Sequence, residues 1–182
     1  MTVEWEGAER PAAIFRWSKR GELLGSVAIL AIAALGVDGW LSSTDDLFLG
    51  VISVFLIALA LGGSIGLISA LRGKSYVALL REGILQKEAL SWSFVPWGSI
   101  EGVGLVKVSW QTGLGLRTKE PPQAGGLMGV MNAANWRLRR LGRGWDIGIP
   151  LWTIARSDEL VALVKRCVAD PDARASLGKG AI

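Results

Sequence analysis

The sequence predicts an integral membrane α-helical hairpin followed by a mainly-β (α+β) module that a C-terminal helix caps. Three observations carry that prediction. The run Leu47–Leu71, LFLGVISVFLIALALGGSIGLISAL, covers 25 residues without one charged side chain. A second apolar run, Leu23–Leu41, precedes it across a short polar connection. After Leu71 the pattern changes to short apolar runs punctuated by glycine and single charges, ending in one amphipathic stretch. The chain accordingly divides into a polar N-terminal segment 1–22, a hairpin 23–71 with helices at about 23–41 and 47–71, a module 72–170, and a tail 171–182.

The second helix follows from its length. At about 1.5 Å of rise per residue it reaches roughly 37 Å, enough to cross a hydrocarbon core of about 30 Å with some tilt. A helix apolar all round is buried in a very large core or in lipid, and 182 residues cannot build the first. The first helix carries Asp38 near its end, where a charge costs far less than at the bilayer centre. Trp17 and Trp40 then flank it at the two interfaces that indoles favour. Ala31-Ile32-Ala33, behind a basic segment, resembles a signal-peptide cleavage site, but the apolar sequence continues past it.

Orientation follows from charge. Arg10, Arg16, Lys19 and Arg20 precede the hairpin and Arg72, Lys74 and Arg81 follow it, whereas the connection Ser42–Asp46, SSTDD, has no Lys or Arg. By the positive-inside rule the chain is a multi-pass protein of the inner (plasma) membrane with both termini cytoplasmic. Asp45 and Asp46 read as turn and helix-cap residues rather than a catalytic pair. Gly62, Gly63 and Gly66 form a small-residue patch in the second helix, and Gly62 and Gly66, four apart, are candidates for close helix packing. The first helix of the same hairpin is the expected partner, with homo-oligomerisation the sharper alternative.

Strands are predicted at Tyr76–Leu80 and Ile84–Lys87, joined by a turn in which Gly83 supplies φ above zero. Further strands are expected at Ser91–Phe94, Ser99–Trp110 with bulges marked by Gly102 and Gly104, Leu114–Thr118 and Trp145–Ile149. A helix follows. Ser157 is its expected cap, Asp158 and Glu159 suit its positive end, and Leu160, Leu163, Val164, Cys167 and Val168 form one buried stripe. Pro171 ends it, and the tail beyond is expected to be frayed.

These elements resemble the bacterial PH-like membrane-protein family: the hairpin, YVALLREGILQ with Gly83 after the first strand, VPWGSIEGV with Trp97 and Ile100 three apart, WDIGIPLWTI, and SDELVALVKRCV. The resemblance covers roughly residues 21–170 and implies a curved sheet sandwich or partly open barrel, closed by the C-terminal helix, on the cytoplasmic face. It implies no particular activity. The basic hairpin that binds phosphoinositides in eukaryotic PH domains has no counterpart here, because Lys74 and Arg81 are followed by Glu82 and Gly83.

The chemistry-bearing residue types are sparse. There is no histidine, which removes the commonest general base and metal ligand, and one cysteine, Cys167, which falls in the buried stripe. No catalytic, cofactor-binding or metal residues are assigned, and no enzyme is expected. The net charge of +4 is spread around apolar segments without a nucleic-acid motif, so nucleic acid is not an expected partner. The segment with functional character is 123–144, where Trp136, Arg137, Arg139, Arg140 and Arg143 suit contact with anionic lipid headgroups at a bilayer surface. A loop helix that packs on the sheet with solvated arginines fits the same residues. The expected function is a membrane-anchored, non-enzymatic binding or scaffold protein meeting the lipid bilayer, a protein partner or itself. The alternative is a lipid-acting enzyme or transport component, with substrate entering between hairpin and module.

Overall fold

The computed structural model describes residues 1–42, 47–108, 111–126 and 144–177. The chain opens on two strands, β1 (Thr2–Trp5) and β2 (Ala8–Arg16), then runs through two long helices, α1 (Lys19–Ser42) and α2 (Leu47–Leu71). Strands β3 (Tyr76–Leu80), β4 (Gly83–Lys87), β5 (Ser91–Pro96), β6 (Ile100–Val108), β7 (Gln111–Thr118), β8 (Gln123–Gly126) and β9 (Ile147–Pro150) follow, and helix α3 (Ser157–Ala169) comes after them. Every strand pairing is antiparallel, in a six-stranded sheet ordered β1-β2-β3-β4-β5-β8 and a three-stranded sheet ordered β6-β7-β9.

Both α1 and α2 are long and apolar enough to cross a membrane. Their surfaces are carpeted with exposed side chains such as Leu30, Leu35, Phe48, Val51, Phe55 and Leu61. A contiguous apolar surface of that extent is not stable against water. The helices meet where side chains are small. A Cβ at Gly36 would sit 3.0 Å from the Ile57 side chain, one at Gly39 would sit 2.5 Å from Ser53 Oγ, and one at Gly63 would sit 3.0 Å from Ile29. Gly36 and Gly39 of α1 therefore set the approach, together with Gly63. Gly62 has open space around it, so the expectation that it packs against α1 is corrected; Gly66 lies in α2, outside the residues whose surroundings are described. Ser53 and Ser64 donate their hydroxyls to the carbonyls of Leu49 and Ala60, four residues back, which satisfies them without leaving the helix.

The N-terminal segment, expected as a polar lead-in separate from the module, forms part of the sheet. Glu6 and Gly7, at φ 52° and 74°, link Trp5 to Ala8 in a two-residue turn of the type that twists with its strands. Strand β2 then pairs with β3 from Ala12↔Leu80 to Arg16↔Tyr76. Two strands adjacent in space are thus separated in sequence by the whole helical hairpin. The feet of the hairpin are fixed to the same sheet. At the α2 foot, Gly73 takes φ 68° and the Lys74 amide donates to the Ser69 carbonyl, closing the helix with a left-handed cap. At the α1 foot, the Ser18 amide donates to Thr153 and the Ala155 amide to Arg16, with Trp17 bridging Ile154.

The main core lies between the two sheets and under α3. Phe15, Leu79, Ile84, Val95, Leu114, Leu116, Ile149, Leu160, Val164 and Cys167 meet there. The centre of the α3 stripe is Leu160, Val164 and Cys167, while Leu163 and Val168 pack at its margin. A second cluster, Val3, Ala12, Ala78, Leu80, Leu85 and Phe94, fills the opposite face of the six-stranded sheet. That sheet curls far enough for Trp5 of β1 to meet Trp92 and Phe94 of β5, at ring separations of 4.8 and 5.2 Å. Strands β3 and β4 are consequently buried on both faces, which explains the unbroken apolar run YVALL.

Four local expectations are corrected. Gly83 is absent from the residues with positive φ; it is small because a Cβ there would run into the Val95 carbonyl oxygen and the Phe94 ring. Ser157 is the first residue of α3 rather than its cap, and Arg156 precedes it in the left-handed region at φ 58° with its guanidinium 5.5 Å from the Phe15 ring. The tail is packed as far as it is described: Asp172–Ser176 form a 3-10 turn, Ala173 and Leu177 are buried in the main core, and Arg174 donates to the Cys167 carbonyl. Gly102 does mark a register shift between β6 and β7, but Gly104 pairs in register with Gly115, and the Trp145 indole lies against both glycines.

Candidate functional site

Residues Trp136, Arg137, Arg139, Arg140 and Arg143, expected at a lipid surface, lie outside the described residues, as do Asp45 and Asp46. The described end of that segment is anchored. Arg117 donates to the Gly144 carbonyl from Nε and Nη2, at 3.4 and 3.2 Å, and its guanidinium lies 5.8 Å from the centre of the Trp145 ring. Asp146 next to it is buried and accepts the Thr118 amide at 2.7 Å. A buried carboxylate bonded to backbone in this way fixes the start of β9 against β7. Gly113 and Gly115 lie in β7.

The feature with the form of a site is a cavity of about 990 Å³ between α1, the β6–β7 hairpin, the turn after β9 and the start of α3. Its walls are apolar: Ala28 from α1, Leu105 from β6, Trp152 from the turn, and Val161 and Ala162 from α3. Thr112, Ser157, Asp158 and Lys165 supply the polar groups. The backbone positions these parts. The two hydrogen bonds that tie residues 16–18 to residues 153–155 bring the foot of α1 against the turn that leads into α3. The Thr153 hydroxyl donates to the Pro150 carbonyl and closes that turn, leaving Trp152 outward. Asp158 and Lys165 are seven residues apart, so they fall on one side of α3 about 10 Å apart along its axis.

The cavity is conspicuous against the rest of the module surface. Among the described residues outside α1 and α2, the large exposed apolar side chains are Met1, Leu90, Leu105 and Trp152, and the last two line this cavity. The sequence suggested an entry between hairpin and module but named none of these walls, because they come from three stretches far apart in the chain, around 28, 105–112 and 151–165. The one local signal was Trp152 itself, an indole in the turn LWT with an apolar neighbour.

A smaller, polar hollow of about 180 Å³ lies elsewhere, beside Gln86, Glu88, Ser91 and Asp146. Glu88 is held there by Gln86 Nε2 at 2.8 Å and Ser91 Oγ at 3.1 Å, an arrangement that ties β4 to β5 rather than presenting a free carboxylate. Among the described residues no group of three His, Cys, Asp or Glu side chains could hold a metal ion. Burial raises the Cys167 thiol above its ordinary value, so it is a protonated packing group rather than a nucleophile.

No family model, curated protein or solved structure matches the chain.

Proposed function

We propose that the chain is a membrane-anchored, non-enzymatic binding or scaffold protein whose PH-like β module stands at the inner face of the membrane, with both termini cytoplasmic. The observation that carries the reading is the pairing of β2 with β3 across the helical hairpin. Two spanning helices inserted between neighbouring strands must leave and return on one side of a bilayer, because a single sheet cannot have strands on both. The basic residues Arg16, Arg72 and Lys74 at the feet favour the cytoplasm as that side, by the positive-inside rule. The PH-like identity rests on the resemblance together with a curled antiparallel sheet, a second small sheet and a C-terminal helix packed on the core.

Membrane attachment is tested by alkaline extraction of membranes that contain the full chain. The protein should stay with the lipid pellet and enter detergent. Recovery in the alkaline supernatant would mean that α1 and α2 pair with protein rather than lipid, and would end the reading.

A lipid-handling component is the second reading. What favours it is the cavity, which has α1 as one wall, at Ala28, and the module as the other.

A further inference from the structure

We propose that the cavity between α1 and α3 takes one acyl chain of a bilayer phospholipid, drawn sideways from the leaflet the module faces, with a zwitterionic headgroup at the Asp158–Lys165 rim. The proposal rests on the membrane-anchored reading above. Its first support is depth. Ala28 lies five residues into the apolar run that begins at Leu23, about 7.5 Å along the helix axis, and within the candidate span Gly25–Ser42. A cavity with that residue as a wall opens at the boundary between headgroups and acyl chains, where a chain can bend in without crossing water.

The lining supplies the second support. Leu105, Trp152, Val161 and Ala162 present apolar surface, and Leu105 and Trp152 are two of the four large apolar side chains that the described residues outside α1 and α2 leave exposed. An acyl chain would remove that surface from water. At about 990 Å³ the space is at the upper end of the range, roughly 300–1,000 Å³, that small-molecule sites occupy. Charge supplies the third. Among the described residues the rim has one cation, Lys165, and one anion, Asp158, with the hydroxyls of Thr112 and Ser157 beside them. A headgroup that carries a phosphate and a free ammonium, as phosphatidylethanolamine does, complements both; a purely anionic headgroup complements Lys165 and meets repulsion at Asp158.

The test uses the full chain in proteoliposomes of phosphatidylethanolamine and phosphatidylglycerol. A trace of either lipid bears a photoactivatable diazirine in the middle of one acyl chain, and crosslinked peptides are mapped by mass spectrometry. Crosslinks are expected on Trp152, Val161 and Ala162 as well as on α1 and α2, and more from the phosphatidylethanolamine probe than from the phosphatidylglycerol probe. Ala162→Trp fills the cavity and should lower the module crosslinks about tenfold, the change that about 1.4 kcal/mol of lost affinity produces, while those on α2 persist. If that variant does not fold, Ala28→Trp closes the cavity from its other wall and should give the same loss. Crosslinks confined to α1 and α2, or module crosslinks that neither variant lowers, would overturn the cavity assignment and leave the anchor standing. Equal labelling by the two probes would overturn the headgroup assignment. An absence of crosslinks on both helices would overturn the membrane-anchored reading itself.

Discussion

Phe15→Ala should loosen the module at the far end of the chain, although the entire helical hairpin separates Phe15 from it in sequence. The Phe15 side chain is 1% exposed and belongs to the same core as Leu79, Leu116 and Leu160. Removing a buried phenyl ring costs about 3–5 kcal/mol, and a domain of this size has only about 5–15 kcal/mol of stability in total. The unfolded fraction should rise by roughly two to four powers of ten, and the Arg156 guanidinium would lose the ring it lies over. Limited proteolysis in proteoliposomes reads this out, because cleavage follows the population of the opened form when opening is fast. Fragments cut after Leu71 should appear far sooner in the variant than in the parent. Phe48→Ala, at a side chain 72% exposed on α2, should leave the cleavage rate unchanged. Equal rates for Phe15→Ala and the parent would refute the claim that the N-terminal strands complete the sheet.

Three further outcomes follow from local geometry. Gly83→Ala should destabilise the module by about 1–3 kcal/mol, since its Cβ would meet the Val95 carbonyl and a ring carbon of Phe94 at 2.8 Å, whereas Gly148→Ala, with open space, should be far milder; similar melting points for the two would contradict the close-approach account. Glu6→Asn should raise the melting temperature, because asparagine tolerates the left-handed backbone that costs an ordinary residue roughly 1–2 kcal/mol, and a lower midpoint would count against the two-residue turn. Burial raises the Cys167 thiol, with Asp170 adding to the shift and Arg174 and Arg166 opposing it, so the folded state holds its proton above the pH at which the unfolded thiol loses it. Its contribution to stability is therefore complete below the ordinary thiol range and is lost as pH rises through the folded pKa; Cys167→Ala should show a shallower decline in stability on the alkaline side, and an identical decline would contradict it.

The two long apolar helices and strands β3 to β7 were legible because each is a local pattern: continuous apolar length for the helices, short runs bounded by glycine and charge for the strands. Helix α3 was legible from its stripe, although packing puts Leu160, Val164 and Cys167 rather than Leu163 at its centre. The first hairpin was not legible. Its turn is Glu-Gly rather than the usual Asn-Gly or Asp-Gly, and Pro11 argues against a strand; it is accommodated because it pairs with Thr2 of β1 while the ladder to β3 begins only at Ala12↔Leu80. Small residues in β2, Ala12 and Ala13, carry little hydrophobic signal but suit a sheet that curls tightly. The burial of Ala173 and Leu177 was hidden for a similar reason, since a short 3-10 turn has no periodicity to read. The cavity is a property of the tertiary arrangement, and a single exposed tryptophan, Trp152, was all that the sequence offered toward it.

A topology with both ends of the chain in the cytoplasm is tested most directly by paired reporters fused after Ile182 in a bacterial inner membrane. A fluorescent protein that matures only in the cytoplasm should be bright, and alkaline phosphatase, active only across the membrane, should be silent. Active phosphatase at Ile182 would put the sheet on the opposite side and contradict the anchored cytoplasmic module.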